Sequence, residues 1–453
     1  MKVVLVRPNY KSHIITPPIG LGYLSSFLKK HGIYVKIIDA LRDNMSIEKL
    51  FENILIENPN AVGITCLTAF YKEVVQLSLM LKRVDQKVII GGVHPTFLPY
   101  ETLKDSGCDY VILGEGELAF LKLIQSKYVN KDISGVYSID DFKCNNTHIT
   151  KAERIENLDE LPFPDWEQLN PRNYPKAPHG AIVKNYPIGV ITTTRGCPYM
   201  CTFCASPKFY DRKIRFRTPE NVMEEIKYLV NCFGVKEIHF EDDNFTFRRQ
   251  HVETLCNLII RSDIEISWAC PNGIRADKVD GDLISLMKRS GCYYFAYGIE
   301  SANQEVLDNV KKQEKITEVE ESINLAARSG ISCQGFFIFG LPGETQSTIN
   351  ESIHFARKSK LARAQFLILD VVPGSELWST LKGKFTPNWT KNSYKEPEWL
   401  PEGLTKKELL QSQSRAFREF YFKSPLRAFR LACGIRPSQM IYLLRRLIEY
   451  RII

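Results

Sequence analysis

The stretch RGCPYMCTFCA, residues 195–205, sets Cys197, Cys201 and Cys204 at C-x3-C-x2-C spacing directly after the β-branched run IGVITTT, residues 188–194. Cysteines just beyond a strand lie on the loop that a strand–helix unit offers to ligands. A cysteine-built site usually takes four ligands, and an iron–sulfur cluster takes a thiolate on each outer iron. Three thiolates leave one iron open to a substrate or cofactor. Zinc is the competing occupant, since three Cys and a His close a tetrahedral site. No His lies close in sequence, and zinc knuckles favour C-x2-C pairs.

Around these cysteines short apolar runs alternate with amphipathic stretches. IGVITTTRG, EIHFEDDNF, ISWACPNGI, YYFAYGIES, SCQGFFIFG and AQFLILDVVPG read as strands, separated by helical patterns such as PENVMEEIKYLVNCFG and ITEVEESINLAARSG. Six such units predict a partial (β/α)6 barrel of the TIM type over residues 186–375, with its site at the C-terminal ends of the strands. Upstream, MKVVLVRP, YVKIIDA, AVGITCLT, KVIIGGVHP and DYVILGEGE alternate with LGYLSSFLKKHG and FYKEVVQLSLMLKRV. They predict a doubly wound, Rossmann-like α/β domain over residues 1–125, its parallel sheet covered on both faces. Residues 126–185 include LDELPFPDWEQLNPRNYPKAPHG, rich in Pro, Asn and Asp, and read as a linker lying over a surface. Residues 376–453 carry loop and helix patterns.

The chain has 453 residues, 44% of them hydrophobic, enough for two or three domains with real cores. No apolar run approaches the roughly 18 residues needed to span a bilayer. MKVVLVRPNYKS lacks the regions of a signal peptide, so a cytoplasmic protein is expected. Its twelve cysteines then read as reduced thiols and not as a disulfide framework. The net charge of +8 equals the excess in residues 404–453, where eleven Lys/Arg face three Glu. There SQMIYLLRRLIEYRII, as a helix, sets Ile441, Leu444, Leu447 and Ile448 opposite Arg445, Arg446 and Glu449. Such a helix packs on the barrel or, in the alternative, makes peripheral contact with an anionic membrane. A basic tail also suits nucleic acid, but no recognised binding motif accompanies the charge, and no nucleic acid is expected as a partner.

The triad, with Phe203 just before its last Cys, resembles the signature of the radical S-adenosylmethionine (radical SAM) superfamily. The resemblance implies a [4Fe–4S] cluster on Cys197, Cys201 and Cys204 as metal-binding and catalytic residues. SAM is chelated by the free iron and cleaved by one electron to a 5′-deoxyadenosyl radical. Further SAM contacts are implied at Phe203, at Asp242, Asp243 and Asn244 in FEDDNF, at Glu300 and Ser301 in YGIES, and at Gly340 in GFFIFGLPGET. Taken singly, an Asp pair is commonly a helix cap and Gly-Leu-Pro-Gly a tight turn. Together, in order and at strand ends, they point to one site.

TPPIGLGYLSSFLKKHG, GITCLTAF, IIGGVHPTFLP and VILGEGE resemble the cobalamin-binding domain that precedes the barrel in the B12-dependent branch of that superfamily. The implied cobalamin contacts are Pro18, Gly20, Thr65, Gly91, Gly92, His94, Gly114, Glu115 and Gly116. Glycines at strand ends let the backbone approach a large planar ligand, and they also make ordinary turns. The D-x-H-x-x-G motif whose His ligates cobalt in other B12 proteins is absent. The first loop reads RPNYKSHIITPP, and its His13, without that Asp and Gly, reads as a solvated residue. His94 in GGVHPT is expected in the pocket without ligating cobalt.

Cys66, Cys108, Cys144, Cys232, Cys256, Cys270, Cys292, Cys333 and Cys433 show no second cluster spacing, which argues against auxiliary-cluster members and methylthiotransferases. Most of them read as core residues. The resemblance therefore implies a cobalamin-dependent radical SAM enzyme that methylates an unactivated carbon of a small-molecule or lipid-like substrate. Its cofactors are [4Fe–4S], SAM and cobalamin, and its electron donor is a protein such as flavodoxin or ferredoxin. The same architecture also performs non-methylating chemistry: cyclisation, ring contraction or dehydration. A cobalamin-binding sensor or carrier with an inactive barrel is the remaining reading, and the intact triad speaks against it. These motifs do not specify the substrate.

Overall fold

The computed structural model describes residues 1–12, 14–129, 133–143, 148–176, 183–389, 396–424 and 427. His13, Cys144, Cys433 and the basic stretch 438–453 lie outside the described residues. The chain divides into two units, Met1–Tyr174 and Pro175–Ile453.

In the first unit, β1 (Lys2–Arg7), β2 (Tyr34–Asp39), β3 (Ala61–Thr65), β4 (Val88–Gly91) and β5 (Tyr110–Ile112) form a parallel sheet in the order β2-β1-β3-β4-β5. A short β6 (Val136–Tyr137) pairs antiparallel with β5. A sheet covered on both faces demands continuous apolar strands, and Val3, Val4, Leu5 and Val6 are all fully buried. Among the connecting helices, Ile47–Ile56 starts where the Ser46 side chain accepts from Lys49 N–H, and it buries Leu50 and Ile54, one turn apart. Strand order reverses between β1 and β3, which makes the C-terminal edge there the ligand side of the doubly wound sheet.

The segment 126–185 departs from a surface linker, because its residues up to Tyr174 belong to the first unit. Trp166, Leu169 and Tyr174 are buried. Gln168 completes the exposed edge of β2: its Nε2 donates to Val35 O (3.1 Å), and its Oε1 accepts from Ile37 N–H (2.9 Å). Asp165 accepts from Ser25 Oγ (2.7 Å) and pairs with Lys29 Nζ (2.6 Å). An irregular segment has no period to read, yet it packs.

The second unit contains β7 (Ile188–Ile191), a ribbon of β8 (Thr194–Arg195) and β9 (Arg215–Phe216), then β10 (Glu237–Phe240), β11 (Ser267–Ile274), β12 (Cys292–Glu300), β13 (Ser332–Phe339) and β14 (Arg363–Ile368). β7 and β10 to β14 form one parallel sheet in which each strand pairs with the next, the partial (β/α)6 barrel. Helices Pro219–Phe233, Arg249–Arg261, Gly281–Arg289, Ile316–Arg328 and Gln346–Lys358 make the crossovers that parallel neighbours require. The free edge at β14 is covered by helix Lys406–Tyr421. Gln413 Nε2 donates to Phe366 O (2.8 Å), and Tyr421 OH accepts from Ala364 N–H (3.1 Å) and donates to Ala364 O (2.9 Å). No helix among the described residues is long and apolar enough to cross a membrane.

Trp166→Ala is expected to destabilise the first unit by about 3–5 kcal/mol, the cost of emptying a large buried site. Thermal and urea unfolding followed by circular dichroism check this, and a wild-type midpoint would place the segment outside the unit's core.

Candidate functional site

One carboxylate holds the two residues that lead from β7 toward the cysteines. Asp242, just beyond β10, is buried. Its Oδ1 accepts from the N–H (2.9 Å) and hydroxyl (2.9 Å) of Thr193 and from the N–H (2.5 Å) and hydroxyl (2.6 Å) of Thr194. Burial raises its pKa to about 6 against the pull of these donors. The ribbon pairs Thr194 with Phe216 and Arg195 with Arg215, closing the base of the cysteine loop. Gly196 leaves the ribbon at φ +105°, and a Cβ there would lie 2.1 Å from Lys213 O, so only glycine fits. Farther along, Thr202 N–H donates to Val310 O (3.0 Å), and Thr202 O accepts from Leu377 N–H (2.9 Å). Phe203 packs on an apolar cluster that includes Val310, Leu341, Val371 and Leu377.

Cys197, Cys201 and Cys204 are free and only partly exposed, whereas Cys256, Cys270, Cys292 and Cys333 of the same unit are buried. Burial pushes Cys197 up to about 11 and Cys204 up to about 12, and raises Cys201 as well. Asp243 acts in the same direction on Cys197, and Arg275 opposes it. Thiolate is the metal-binding form, so metal uptake at this loop must displace protons. Among the described residues the thiols do not already converge into a metal-holding group; what the pinned loop offers is three free cysteines, the donor set that a cluster with one open iron would take.

The remaining strand ends carry the other expected residues. Asp243 accepts from Ser206 Oγ (2.8 Å) within the cysteine loop. Asn244 is 1% exposed, and neither of its amide atoms has a hydrogen-bond partner among the described residues. An unpaired buried polar group costs about 1–3 kcal/mol, which marks Asn244 as a position suited to pairing with a bound group. Glu300 ends β12 in left-handed backbone, φ +62°, and accepts from Lys312 Nζ (2.9 Å); Lys312 also lies 3.4 Å from Glu314. After β13, Gly340 N–H (2.5 Å) and Leu341 N–H (3.3 Å) donate to Glu344 Oε2, and burial lifts Glu344 to about 8.

Two expected SAM contacts have other work. Ser301 is fully buried, accepts from Asn303 N–H (3.2 Å) and lies 3.4 Å from Ser352 Oγ on helix Gln346–Lys358, so it packs strand against helix. Asp242 spends Oδ1 on the threonines as a clamp, while its buried Oδ2 has no hydrogen-bond partner among the described residues and is left open to a bound group. Arg275, Lys312 and Glu314, absent from the sequence reading, sit in the charged runs IRADKVDGD and NVKKQEK, where no local spacing marks their partners. Thr193, Thr194 and Glu344 stand within stretches quoted above, without a local signal of their pairing.

In the first unit Pro18 caps helix Ile19–Lys30, and Thr65, Gly91, Gly92, Gly114, Glu115 and Gly116 lie half-exposed at or beyond the ends of β3, β4 and β5. A Cβ on Gly20 or Gly116 would meet open space, room suited to a large ligand. Gly92 has a different reason to be glycine: at φ +115° its Cβ would lie 2.6 Å from Cys66 O, so two loops approach there. His94 is a correction to the pocket expectation. Its ring is 0% exposed, stacks on Tyr71 (centroids 4.0 Å apart) and lies 3.1 Å from Thr68 Oγ1. Burial lowers it to about 3, so it stays neutral and belongs to the core.

Glu344 gives the fold a signed pH dependence. Its folded pKa, about 8, lies above the ordinary 4.5, so its contribution to stability is full below pH 4.5 and is lost as pH rises through 8. Glu344→Gln is expected to flatten that decline in melts run across this window. An unchanged slope would assign the dependence to another group.

The chain matches the radical SAM superfamily over residues 191–356 and the B12 binding domain over residues 10–124. It is 30% identical over 437 residues to an uncharacterized methyltransferase of Pyrococcus horikoshii, covering 93% of each chain. It is 29% identical over 444 residues to the anaerobic magnesium-protoporphyrin IX monomethyl ester cyclase of Cereibacter sphaeroides, covering 94% of this chain and 71% of that protein. Its fold superposes with a TM-score of 0.70 on the radical S-adenosylmethionine methyltransferase TsrM of Kitasatospora setae, at 18% identity and covering 93% and 82% of the two chains. With both domains in order and a relative matched along nearly its whole length, the chain belongs to the B12-binding branch of the radical SAM superfamily, as a cobalamin-dependent radical SAM enzyme whose cofactors are a [4Fe–4S] cluster, SAM and cobalamin.

Proposed function

We propose that this enzyme methylates an unactivated carbon of a small-molecule or lipid-like substrate, with Cys197, Cys201 and Cys204 as the cluster ligands. The observation that carries the reading is the one loop of three partly exposed free thiols, closed by the ribbon and pinned at Thr202. When bound, the cofactors supply the electron, the radical-generating cleavage and the methyl carrier.

The chain's own groups bind and orient. Asn244, with its amide unpaired, and Asp243 suit the amino-acid end of SAM. Glu300, fixed by Lys312, suits the ribose, and the backbone at Gly340 suits the adenine. Phe203, packed on the apolar cluster of Val310, Leu341, Val371 and Leu377, anchors the loop between Cys201 and Cys204. In the first unit, the rim from Pro18 and Gly20 through Thr65, Gly91, Gly92, Gly114, Glu115 and Gly116 suits cobalamin.

The Pyrococcus relative, named a methyltransferase, favours methyl transfer. The cyclase relative favours a second reading, radical chemistry without methyl transfer. Either reading draws electrons from a donor of the flavodoxin or ferredoxin type.

The test uses anaerobically reconstituted, cobalamin-loaded protein with SAM and a low-potential reductant, its products quantified by mass spectrometry. Both 5′-deoxyadenosine and S-adenosylhomocysteine are expected, and Cys201→Ala should lose the cluster and the deoxyadenosine. Deoxyadenosine without the homocysteine product would select the second reading. Neither product from a fully loaded cluster would leave the sensor or carrier.

A further inference from the structure

Arg275 follows directly on β11 and is 7% exposed, where an unpaired guanidinium would be costly. It is engaged on every side. Its Cζ lies 3.6 Å from the ring centroid of Tyr199, the residue midway between Cys197 and Cys201. Nη1 donates to Lys312 O (2.9 Å), Nη2 to Gln313 O (2.5 Å) and Nε to Asp277 Oδ1 (2.8 Å), while Glu314 Oε2 is 3.9 Å away. The two carbonyls belong to a bend in which Lys311 and Gln313 adopt left-handed backbone, φ +54° and +55°. The same bend supplies Val310 O to Thr202 N–H and Lys312 Nζ to Glu300.

One guanidinium thus joins the middle of the cysteine loop, the end of β11 and the 310–314 bend. A planar fork with five donors can stack and bridge at once, and a lysine ammonium cannot. Its charge also stands beside the cysteine loop, 3.6 Å from the Tyr199 ring, where it offsets the carboxylates of Asp277 (2.8 Å) and Glu314 (3.9 Å). Net charge around a cluster is one of the quantities that set its potential, and a nearby cation favours the added electron.

We propose that Arg275 is a positioning residue for the cysteine loop: stacked on Tyr199 and forked into the carbonyls of Lys312 and Gln313, it fixes Cys197 and Cys201 for cluster binding and places beside them a buried positive charge that eases cluster reduction. The inference rests on the assignment of the cluster to these cysteines.

Full-length wild type, Arg275→Lys, Arg275→Met and Tyr199→Leu are reconstituted anaerobically, with thermal melts to establish folding. The readouts are iron and sulfide per chain, the rate of cluster loss to a chelator, and the midpoint potential from an EPR-monitored redox titration. Arg275→Met is expected to lose its cluster several-fold faster than wild type and to shift the midpoint to a more negative value. Arg275→Lys should share the faster loss but keep the wild-type midpoint. Tyr199→Leu, which removes the ring and keeps the cation, should do the same. If Arg275→Met does not fold, the other two variants decide the matter through loss rate. Wild-type loss rates and midpoints in folded variants would overturn the role of Arg275. A wild type that takes up no cluster would instead overturn the cysteine assignment, and the inference with it.

Discussion

All six strands of the barrel sheet run the same way, and a parallel pair can be joined only by a crossover along the sheet face. This constraint sends every strand's C-terminal end to one rim, and the loops there bring together Cys197, Asn244, Arg275, Glu300 and Gly340, residues spread over more than a hundred positions of chain. The first unit obeys the same rule with its five parallel strands, whose rim gathers Thr65, Gly91 and Gly114. Its consequence at the edges is equally physical. An open parallel sheet leaves unpaired backbone at its outer strands, and side chains complete it: Gln168 on β2, and Gln413 with Tyr421 on β14.

Charge is distributed along the barrel according to task. At the N-terminal end of β10, five donors hold Glu237 below its ordinary pKa against the desolvation of burial: Lys184 N–H, Asn185 N–H, Ser267 Oγ, Tyr293 OH and His239 Nε2. Such a fully satisfied network rigidifies the closed end. At the rim the carboxylates are incompletely satisfied, and burial raises Asp242 to about 6 and Glu344 to about 8. Buried ion pairs such as Lys312 with Glu300 contribute little net stability. Here they set geometry, holding the 310–314 bend against the cysteine loop.

The rim is therefore built from two sets of residues. The cysteines present free thiols and Asn244 an unpaired amide, while Thr193, Thr194, Asp242, Arg275 and Lys312 fix the backbone that carries them. The supporting set uses ordinary residue types whose meaning comes from their partners. Asp242 shows the difference most clearly: adjacent to Asp243 and Asn244 in FEDDNF, it turns into the barrel and clamps two threonines nearly fifty residues upstream.

Local pattern was sufficient for much of this. Apolar runs bounded by glycine and polar residues located all five parallel strands of the first unit and all six of the barrel, because a strand buried on both faces must be continuously apolar. The cysteine spacing narrowed the site to an iron–sulfur cluster or zinc, and its resemblance to the radical SAM signature pointed to the family that the comparisons show. The packed segment up to Tyr174, the core position of His94, the helix contact of Ser301 and the network around Arg275 were not legible in that way. Each depends on a partner distant in sequence, and periodicity records only which face of an element is apolar, not which element meets it. Sequence alone determined the order of elements and the cysteine spacing on which the proposed cluster assignment rests; tertiary structure decided which polar residues face the rim and which support it, since hydrogen bonds and burial between distant segments exist only once the sheet has assembled.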